Sequence, residues 1–187
     1  TTVHTLSLHD ALPISTVDHC TMVAVIGAAT FRLAPAFRQA TQAARLAGSH
    51  LIVVNMQACT ALDSTFMGSL ASLGLSGRQT GATPAVLINL SPHLAGLLQG
   101  LGVSRILKSY PSGGLPDGMG DLSRFVDNLQ PVETAPQAPR DMAALMYDAH
   151  ETLTRVDPEN IQRFKDVLTF LRQEAGQGPA SPAAPDT

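Results

Sequence analysis

Aromatic residues and cysteine are scarce in this chain. Tryptophan is absent, and aromatic residues make up 4% of the 187 residues. Proteins that bind single-stranded nucleic acid stack bases on aromatic side chains, so the composition argues against that role. The two cysteines, Cys20 and Cys59, lie in or beside apolar segments and have neither a disulfide framework nor metal-ligand spacing. We therefore expect small buried side chains in a reducing, cytoplasmic compartment.

Long apolar runs and catalytic clusters are also missing. No apolar segment reaches the ~18 residues of a membrane span, so we predict no membrane association. Residues 16–114 contain two carboxylates, Asp18 and Asp63, which leaves no obvious acid–base pair. The histidines at 50, 93 and 150 have no ligand spacing, and no phosphate-binding glycine loop is present. The sequence predicts a binding protein that is not an enzyme and has neither a metal nor a cofactor.

Charge is distributed unevenly along the chain. Residues 16–114 have a net charge of +4, whereas residues 115–187 have a net charge of −6. Opposite signs would permit docking of the C-terminal part on the core. The basic residues are scattered rather than clustered, so the sequence predicts no nucleic-acid partner.

Strands and helices alternate through the first 110 residues, which predicts an α/β fold. Apolar runs predict strands at 22–26, 51–56, 85–90 and 105–110. Helical periodicity predicts helices at 33–47, 64–78 and 92–101. Nearly continuous apolar strands joined by helices are typical of parallel sheets. We expect a mixed, largely parallel sheet of about four strands with covering helices.

A breaker cluster at 111–120 ends this core, which we place at residues 16–114. A linker at 115–139 follows, with a short helix predicted at 121–129. Two amphipathic helices, 141–155 and 158–174, are separated by an Asp-Pro helix start. They predict a helical hairpin at 140–175 whose apolar stripes pack together, with a docking role or homodimer formation both open. The Pro/Ala/Gly-rich residues 176–187 are predicted to be disordered.

The turn at residues 62–68, Leu-Asp-Ser-Thr-Phe-Met-Gly, connects a predicted strand to a predicted helix. Backbone N–H groups and the helix dipole at such a junction tolerate an anion. In one interpretation Ser64 or Asp63 caps the helix. In the other, Ser64 is a switch where a phosphate adds about −1.5 to −2 charges. Along this helix Ser69, Ser72 and Ser76 fall largely outside the apolar stripe.

The element order and this turn resemble the STAS domain, the fold of bacterial anti-anti-sigma factors. The family pattern is Asp-Ser-Ser/Thr-Gly-Leu-Gly, and the resemblance covers about residues 20–112, including Ser91-Pro92-His93-Leu94. It implies that Ser64 is the phosphoacceptor. The partner-binding residues implied by the resemblance are Asp63, Ser64, Thr65, Phe66, Met67 and Gly68.

The resemblance implies a partner-switching regulator. The protein would bind an anti-sigma factor or related serine protein kinase while Ser64 is unphosphorylated, and a serine phosphatase would restore that state. The alternative is a constitutive STAS scaffold, in which Ser64 is only a cap and the C-terminal helices carry association.

Two departures from the family pattern concern this switch. Phe66 stands where the family has Gly, and Gly27-Ala28-Ala29-Thr30 stands where the family often has Gly-Glu-Leu-Asp. This chain therefore lacks the acidic residues of that segment. In the family, such residues could help a partner kinase to bind.

Residues 1–15 resemble the translation of a sequencing-adapter oligonucleotide, and the chain lacks an initiator Met. We set this segment aside, so that His4 and His9 are not taken for metal ligands. Because STAS domains usually have a strand before the one predicted at 22–26, we expect that first strand to be lost or replaced.

Overall fold

A five-stranded sheet forms the centre of the protein. The computed structural model describes residues 10–79, 84–117 and 119–176. The strands, in both chain order and spatial order, are β1 (Ile14–Val17), β2 (Cys20–Ala29), β3 (Leu51–Leu62), β4 (Ala85–Leu90) and β5 (Lys108–Pro111). β1 pairs antiparallel with β2, and the other neighbours are parallel. The predicted α/β class with a mixed, largely parallel sheet is confirmed.

In the part of the chain that the structure describes, six helices and a 3₁₀ turn at Val103–Arg105 accompany the sheet. The helices are α1 (Ala34–Leu46), α2 (Ser64–Gln79), α3 (Pro92–Gly100), α4 (Ser123–Val126), α5 (Pro139–Val156) and α6 (Glu159–Glu174). Among the described residues, no helix is both long and apolar enough to cross a membrane.

Both faces of the sheet are covered. Consecutive residues Ile52, Val53 and Val54 are each 0% exposed, although alternate side chains of a strand point to opposite faces. Ile52 and Val54 belong to the main core with α1, α2 and α3, while Val53 packs in a second cluster with Phe125 of α4. The nearly continuous apolar strands reflect this two-sided burial.

The position of the first strand, expected to be lost or replaced, is occupied by β1, whose first two residues belong to the segment set aside. β1 is present, and a two-residue turn at Asp18 and His19, both with positive φ, joins it to β2. Asp and His are enriched among the non-glycine residues that adopt this conformation, and such short turns match the twist of a hairpin. Leu12 is 1% exposed and belongs to the main core. Residues 10–15 of the segment set aside thus contact the sheet, while His4 and His9 lie outside the described residues.

β3 is longer than its apolar run. It continues beyond Met56 to Leu62, because its second half pairs with the end of β2, where Ala28 lies opposite Ala61. This pairing places Asp63 beside the end of β2. At the other edge, the 3₁₀ turn occupies the beginning of the predicted strand 105–110, and β5 starts at Lys108.

α5 and α6 form an antiparallel pair, which we call the C-terminal hairpin. Leu153 is 0% and Phe164 8% exposed, and both belong to the main core. Ile161 is three residues before Phe164 on α6 but is 57% exposed, so it lies outside the packed side of that helix. The segment predicted to be a disordered tail lies outside the described residues except for Gly176.

Candidate functional site at the start of helix α2

Asp63 is the N-cap of α2. Its Oδ1 accepts a hydrogen bond from the backbone N–H of Phe66 at 2.7 Å, and its Oδ2 accepts one from the N–H of Phe31 at 2.6 Å. The N–H of Asp63 donates to the carbonyl of Ala29. One carboxylate thus satisfies a free N–H of the first helical turn and connects it to the segment after β2. Of the two residues expected as caps, Ser64 and Asp63, it is Asp63 that caps the helix.

The hydroxyl of Ser64 contacts a histidine that is distant in sequence. Ser64 Oγ lies 2.9 Å from Nε2 of His150, on α5. His150 is 3% exposed, and its ring packs edge-on against Phe164 at a centroid distance of 4.9 Å. The C-terminal hairpin therefore covers the predicted phosphoacceptor.

The hydrogen bonds of His150 define its tautomer. Nδ1 lies 2.7 Å from the carbonyl oxygen of Met146, which can only accept, so Nδ1 bears the proton. In the neutral ring Nε2 is then the acceptor, and Ser64 donates. Burial lowers the pKa of His150 from its usual 6.5, against the opposing effects of the Met146 hydrogen bond and the charge of Asp63. The ring is therefore neutral at pH 7.

A serine donating to a neutral imidazole is also the arrangement that activates nucleophiles in hydrolases. There, a carboxylate on the second ring nitrogen stabilises the imidazolium that forms. In this protein a backbone carbonyl takes that position, and burial disfavours the charged ring. The geometry favours a contact that holds α5 against α2 over a catalytic pair.

Two further contacts extend the packing of α5 on α2. Gly68 lies so close to Ala149 that an added Cβ would meet its carbonyl oxygen and lie 2.6 Å from its carbonyl carbon. Ser72 Oγ donates to Thr152 Oγ1 at 3.3 Å. Since residues 64, 68 and 72 are four apart, they lie on one side of α2. We call this side the α2 face.

Ion pairs join the two oppositely charged parts of the chain. Arg38 of α1 pairs with Asp148 of α5 at 2.6 Å and also donates to Ser69 at 3.0 Å. Arg105 pairs with Asp157, between α5 and α6, at 3.2 Å. The C-terminal hairpin is thus joined to the core by pairs of opposite charge.

The turn of the hairpin is attached to the end of α3. Asn160 is 1% exposed, and its amide donates to the carbonyls of Leu101 at 3.1 Å and Leu153 at 2.9 Å. Arg163 donates to the carbonyl of Gly100 at 2.9 Å. Carbonyls that α3 leaves free at its end thus find donors, while the Leu153 carbonyl also accepts from the N–H of Asp157. Asn160 and Arg163 serve as attachment residues.

Most of the predicted partner-binding residues are covered in this arrangement. Phe66 is 0% exposed and packs on Phe37 at a ring-centroid distance of 4.8 Å. Thr65 is 2% and Met67 6% exposed, Gly68 is buried, and Asp63 and Ser64 are half-buried. Replacement of the family glycine by Phe66 thus adds an aromatic ring to the core rather than to the surface.

Asp10 contacts β2 at Gly27 and Ala28. Its carboxylate accepts a hydrogen bond from the N–H of Ala28 at 2.8 Å. Gly27 has a φ of +76°, and a Cβ at that position would clash with the Asp10 carboxylate, so glycine is required. Sequence reasoning missed Asp10 because it belongs to the segment set aside.

Other titratable groups do not converge on this site. His50 stacks on His19 at 5.3 Å, and His93 is exposed on α3. Burial raises the pKa of Cys20 and of Cys59, which keeps both thiols protonated. Across residues 10–79, 84–117 and 119–176, no three His, Cys, Asp or Glu side chains are grouped to hold a metal.

Comparison with known proteins identifies the family. The STAS domain model matches residues 11–114. The anti-sigma factor antagonist SpoIIAA in its unphosphorylated form is 15% identical, with 57% of this chain and 91% of that chain covered and a TM-score of 0.45. An anti-sigma factor antagonist from Mycobacterium paratuberculosis is 20% identical, with 56% and 88% covered and a TM-score of 0.48. No curated protein matches. Because the family match spans more than half of the chain, this protein belongs to the STAS domain family.

Proposed function

We propose that this protein is a partner-switching regulator of the anti-anti-sigma type, acting in the cytoplasm. It binds an anti-sigma factor or a related serine protein kinase while Ser64 is unphosphorylated. Phosphorylation of Ser64 ends binding, and a serine phosphatase restores it. The protein itself acts by binding rather than by catalysis. The observation that carries the proposal is the position of Ser64 as the first residue of α2, with a hydroxyl that is not used for capping because Asp63 has that role.

Local electrostatics support a phosphate as the signal. The start of α2 provides backbone N–H groups and the positive end of a helix dipole. A phosphate there adds about −1.5 to −2 charges directly beside Asp63. Since residues 16–114 have a net charge of +4 with two carboxylates, phosphorylation changes the local charge strongly. A partner that approaches the bare hydroxyl would meet repulsion and added bulk.

Phosphopeptide mass spectrometry tests this function directly. The full chain is incubated with ATP and a lysate of the source organism whose kinases are shown to be active. We expect phosphate on Ser64 in the wild-type chain and in Ser112→Ala, an exposed control, and none in Ser64→Ala. Proteins captured by Ser64→Ala but not by Ser64→Asp are then identified, and we expect a kinase or anti-sigma factor among them. Absence of phosphate on Ser64, or equal capture by the two variants, would reject the switch.

The second candidate, a constitutive scaffold, is favoured by the outer side of α6. Val167 is 38% and Phe170 60% exposed, and they lie one turn apart. A second copy could pack against this pair. Analytical ultracentrifugation of Phe170→Ser would then show loss of a dimer that persists in Phe31→Ser, where Phe31 is 36% exposed on another element. A wild-type monomer at every concentration rejects this homodimer.

A further inference from the structure

The α2 face is already occupied in this structure, and its occupant belongs to the same chain. Ser64, Gly68 and Ser72 contact His150, Ala149 and Thr152 of α5 respectively. We propose that the α2 face is a helix-docking surface for which the C-terminal hairpin competes with the regulatory partner. This inference rests on the proposed function of Ser64. The hairpin must leave the face before a partner can bind it or a kinase can reach the hydroxyl.

The shape of the face specifies the kind of partner. Gly68 allows a helix backbone to approach closely, provided that a small residue such as Ala149 lies opposite. Ser64 then requires a hydrogen-bond acceptor, which His150 supplies in the closed arrangement. The competing partner is therefore a protein helix with a small residue at the crossing point and an acceptor beside it. A large residue at that point would clash with the α2 backbone.

The contact between α5 and the α2 face includes polar groups that can bind water when the two helices separate. The hydroxyls of Ser64, Ser72 and Thr152 and the imidazole of His150 can all bond to water once α5 leaves. The ion pair at its edge, Arg38 with Asp148, has side chains that are 26% and 49% exposed and is therefore partly hydrated already. The buried apolar side chains of the hairpin that release re-exposes include Leu153 and Phe164, which belong to the main core.

The attachment of the hairpin turn determines how the hairpin can move. Asn160 and Arg163 fix the turn to the end of α3, while the contacts to Ser64 and Gly68 lie about two turns back along α5. Release of α5 from the α2 face can therefore proceed as a pivot about the attached turn.

Thiol labelling tests the closed arrangement without any assumption about phosphorylation. In a Cys20→Ser/Cys59→Ser background, Ser64→Cys is exposed to iodoacetamide and its modification is followed by mass spectrometry. The references are Ser112→Cys, which is exposed, and Thr21→Cys, which replaces a residue that is 0% exposed. We expect Ser64→Cys to react at least tenfold more slowly than Ser112→Cys. Equal rates overturn the proposal.

Opening the hairpin should reverse this protection. Ala149→Asp buries a carboxylate against Gly68, so we expect at least tenfold faster labelling of Ser64→Cys while Thr21→Cys stays protected. If Thr21→Cys becomes reactive, the sheet has unfolded, and Asp148→Lys, which repels Arg38 from a half-exposed position, is used instead. An unchanged Ser64→Cys rate in the variant that keeps the sheet folded overturns the proposal.

A reversible cross-link tests the competition itself. The hydroxyl oxygens of Ser72 and Thr152 are 3.3 Å apart, so Ser72→Cys/Thr152→Cys places two sulfurs in reach of each other. We expect phosphorylation of Ser64 in the active lysate to fall at least tenfold in the oxidised form and to recover on reduction. Equal phosphorylation in both forms overturns the competition. Absence of phosphate in both forms rejects the proposed function instead, and the labelling rates still decide whether the hairpin covers Ser64.

Discussion

Ser64 Oγ and His150 Nε2 lie 2.9 Å apart, and this hydrogen bond joins the first residue of α2 to the middle of α5. It removes a hydroxyl donor and an imidazole acceptor from solvent together. Loss of either partner leaves the other without its hydrogen bond, and the imidazole is the more deeply buried of the two. The stability of the docked hairpin therefore depends on a residue that the sequence singled out for regulation.

Ser64→Ala is expected to lower the free energy of unfolding by about 1–3 kcal/mol, because Nε2 of buried His150 loses its donor. The exposed control Ser112→Ala should remain within about 0.5 kcal/mol of wild type. Urea unfolding followed by circular dichroism measures both. A neutral Ser64→Ala would mean that the serine contributes no net stability through His150.

The stability of the protein should fall in mild acid because of His150. Burial lowers the pKa of this ring in the folded state, so the unfolded chain takes up the proton first as the pH falls below 6.5. The contribution of the neutral ring is complete above pH 6.5 and is lost as the pH falls from 6.5 towards the lowered folded-state pKa. The groups facing the ring are Asp63, Ser64 and Phe164, of which Asp63 is the charged one.

Urea unfolding between pH 7.5 and 5 measures this loss. His150→Gln should have a flatter stability profile below pH 6.5 than wild type, whereas His93→Gln, at an exposed position, should keep the wild-type slope. Parallel profiles for all three proteins would contradict the assignment to His150.

Gly68→Ala and Gly96→Ala should act in opposite directions. An alanine Cβ at 68 would run into the backbone of Ala149, and we expect a loss of about 1–3 kcal/mol as α5 is displaced. At 96, inside α3, nothing lies within 4 Å of the added Cβ, so helix propensity should stabilise the protein by up to about 1 kcal/mol. Thermal unfolding compares the two. Equal shifts would show that α5 does not approach Gly68.

Asn160→Asp should destabilise the protein more than Asn128→Asp. The amide of Asn160 donates to two backbone carbonyls in a buried position, and a carboxylate would face both oxygens without a proton. We expect a loss of about 3 kcal/mol or more, since an unpaired charge is buried. Asn128 donates to one exposed carbonyl and should change stability by less than about 1 kcal/mol. Denaturant midpoints that agree for the two variants would contradict this role of Asn160.

The sheet and its helices could be predicted because they depend on local periodicity. Apolar runs identified the centres of β2, β3 and β4, and capping and spacing identified α5 and α6 within a few residues. The limits of β3 could not be obtained this way, since residues 57–61 are polar or small and become part of a strand by pairing with the end of β2. β1 was not predicted, because its first two residues belong to the segment that was set aside for its resemblance to a translated adapter oligonucleotide.

The sequence predicted the turn of the candidate site but not the contact of that turn with α5. The turn at Asp63 and Ser64 has a local signature, but the choice between two adjacent caps depends on Phe31, which is 32 residues away. The contact between His150 and Ser64 could not be predicted from the sequence, because it depends on the approach of Ala149 to Gly68 in the folded chain. The serines outside the stripe of α2 could have indicated a second helix contact, because small residues permit backbones to approach closely.

Because the hairpin turn is attached to the end of α3, α5 acts as an intramolecular ligand of the α2 face. Tethering replaces a bimolecular encounter with a local concentration that reaches the millimolar range for short connections. A free competitor then binds with an apparent dissociation constant equal to its intrinsic one divided by the fraction of open molecules. With about 1% of molecules open, its affinity would fall about 100-fold. Asn160 and Arg163 contact the end of α3 rather than the α2 face. Substitutions there would change the fraction of open molecules and so the partner concentration that is needed for binding.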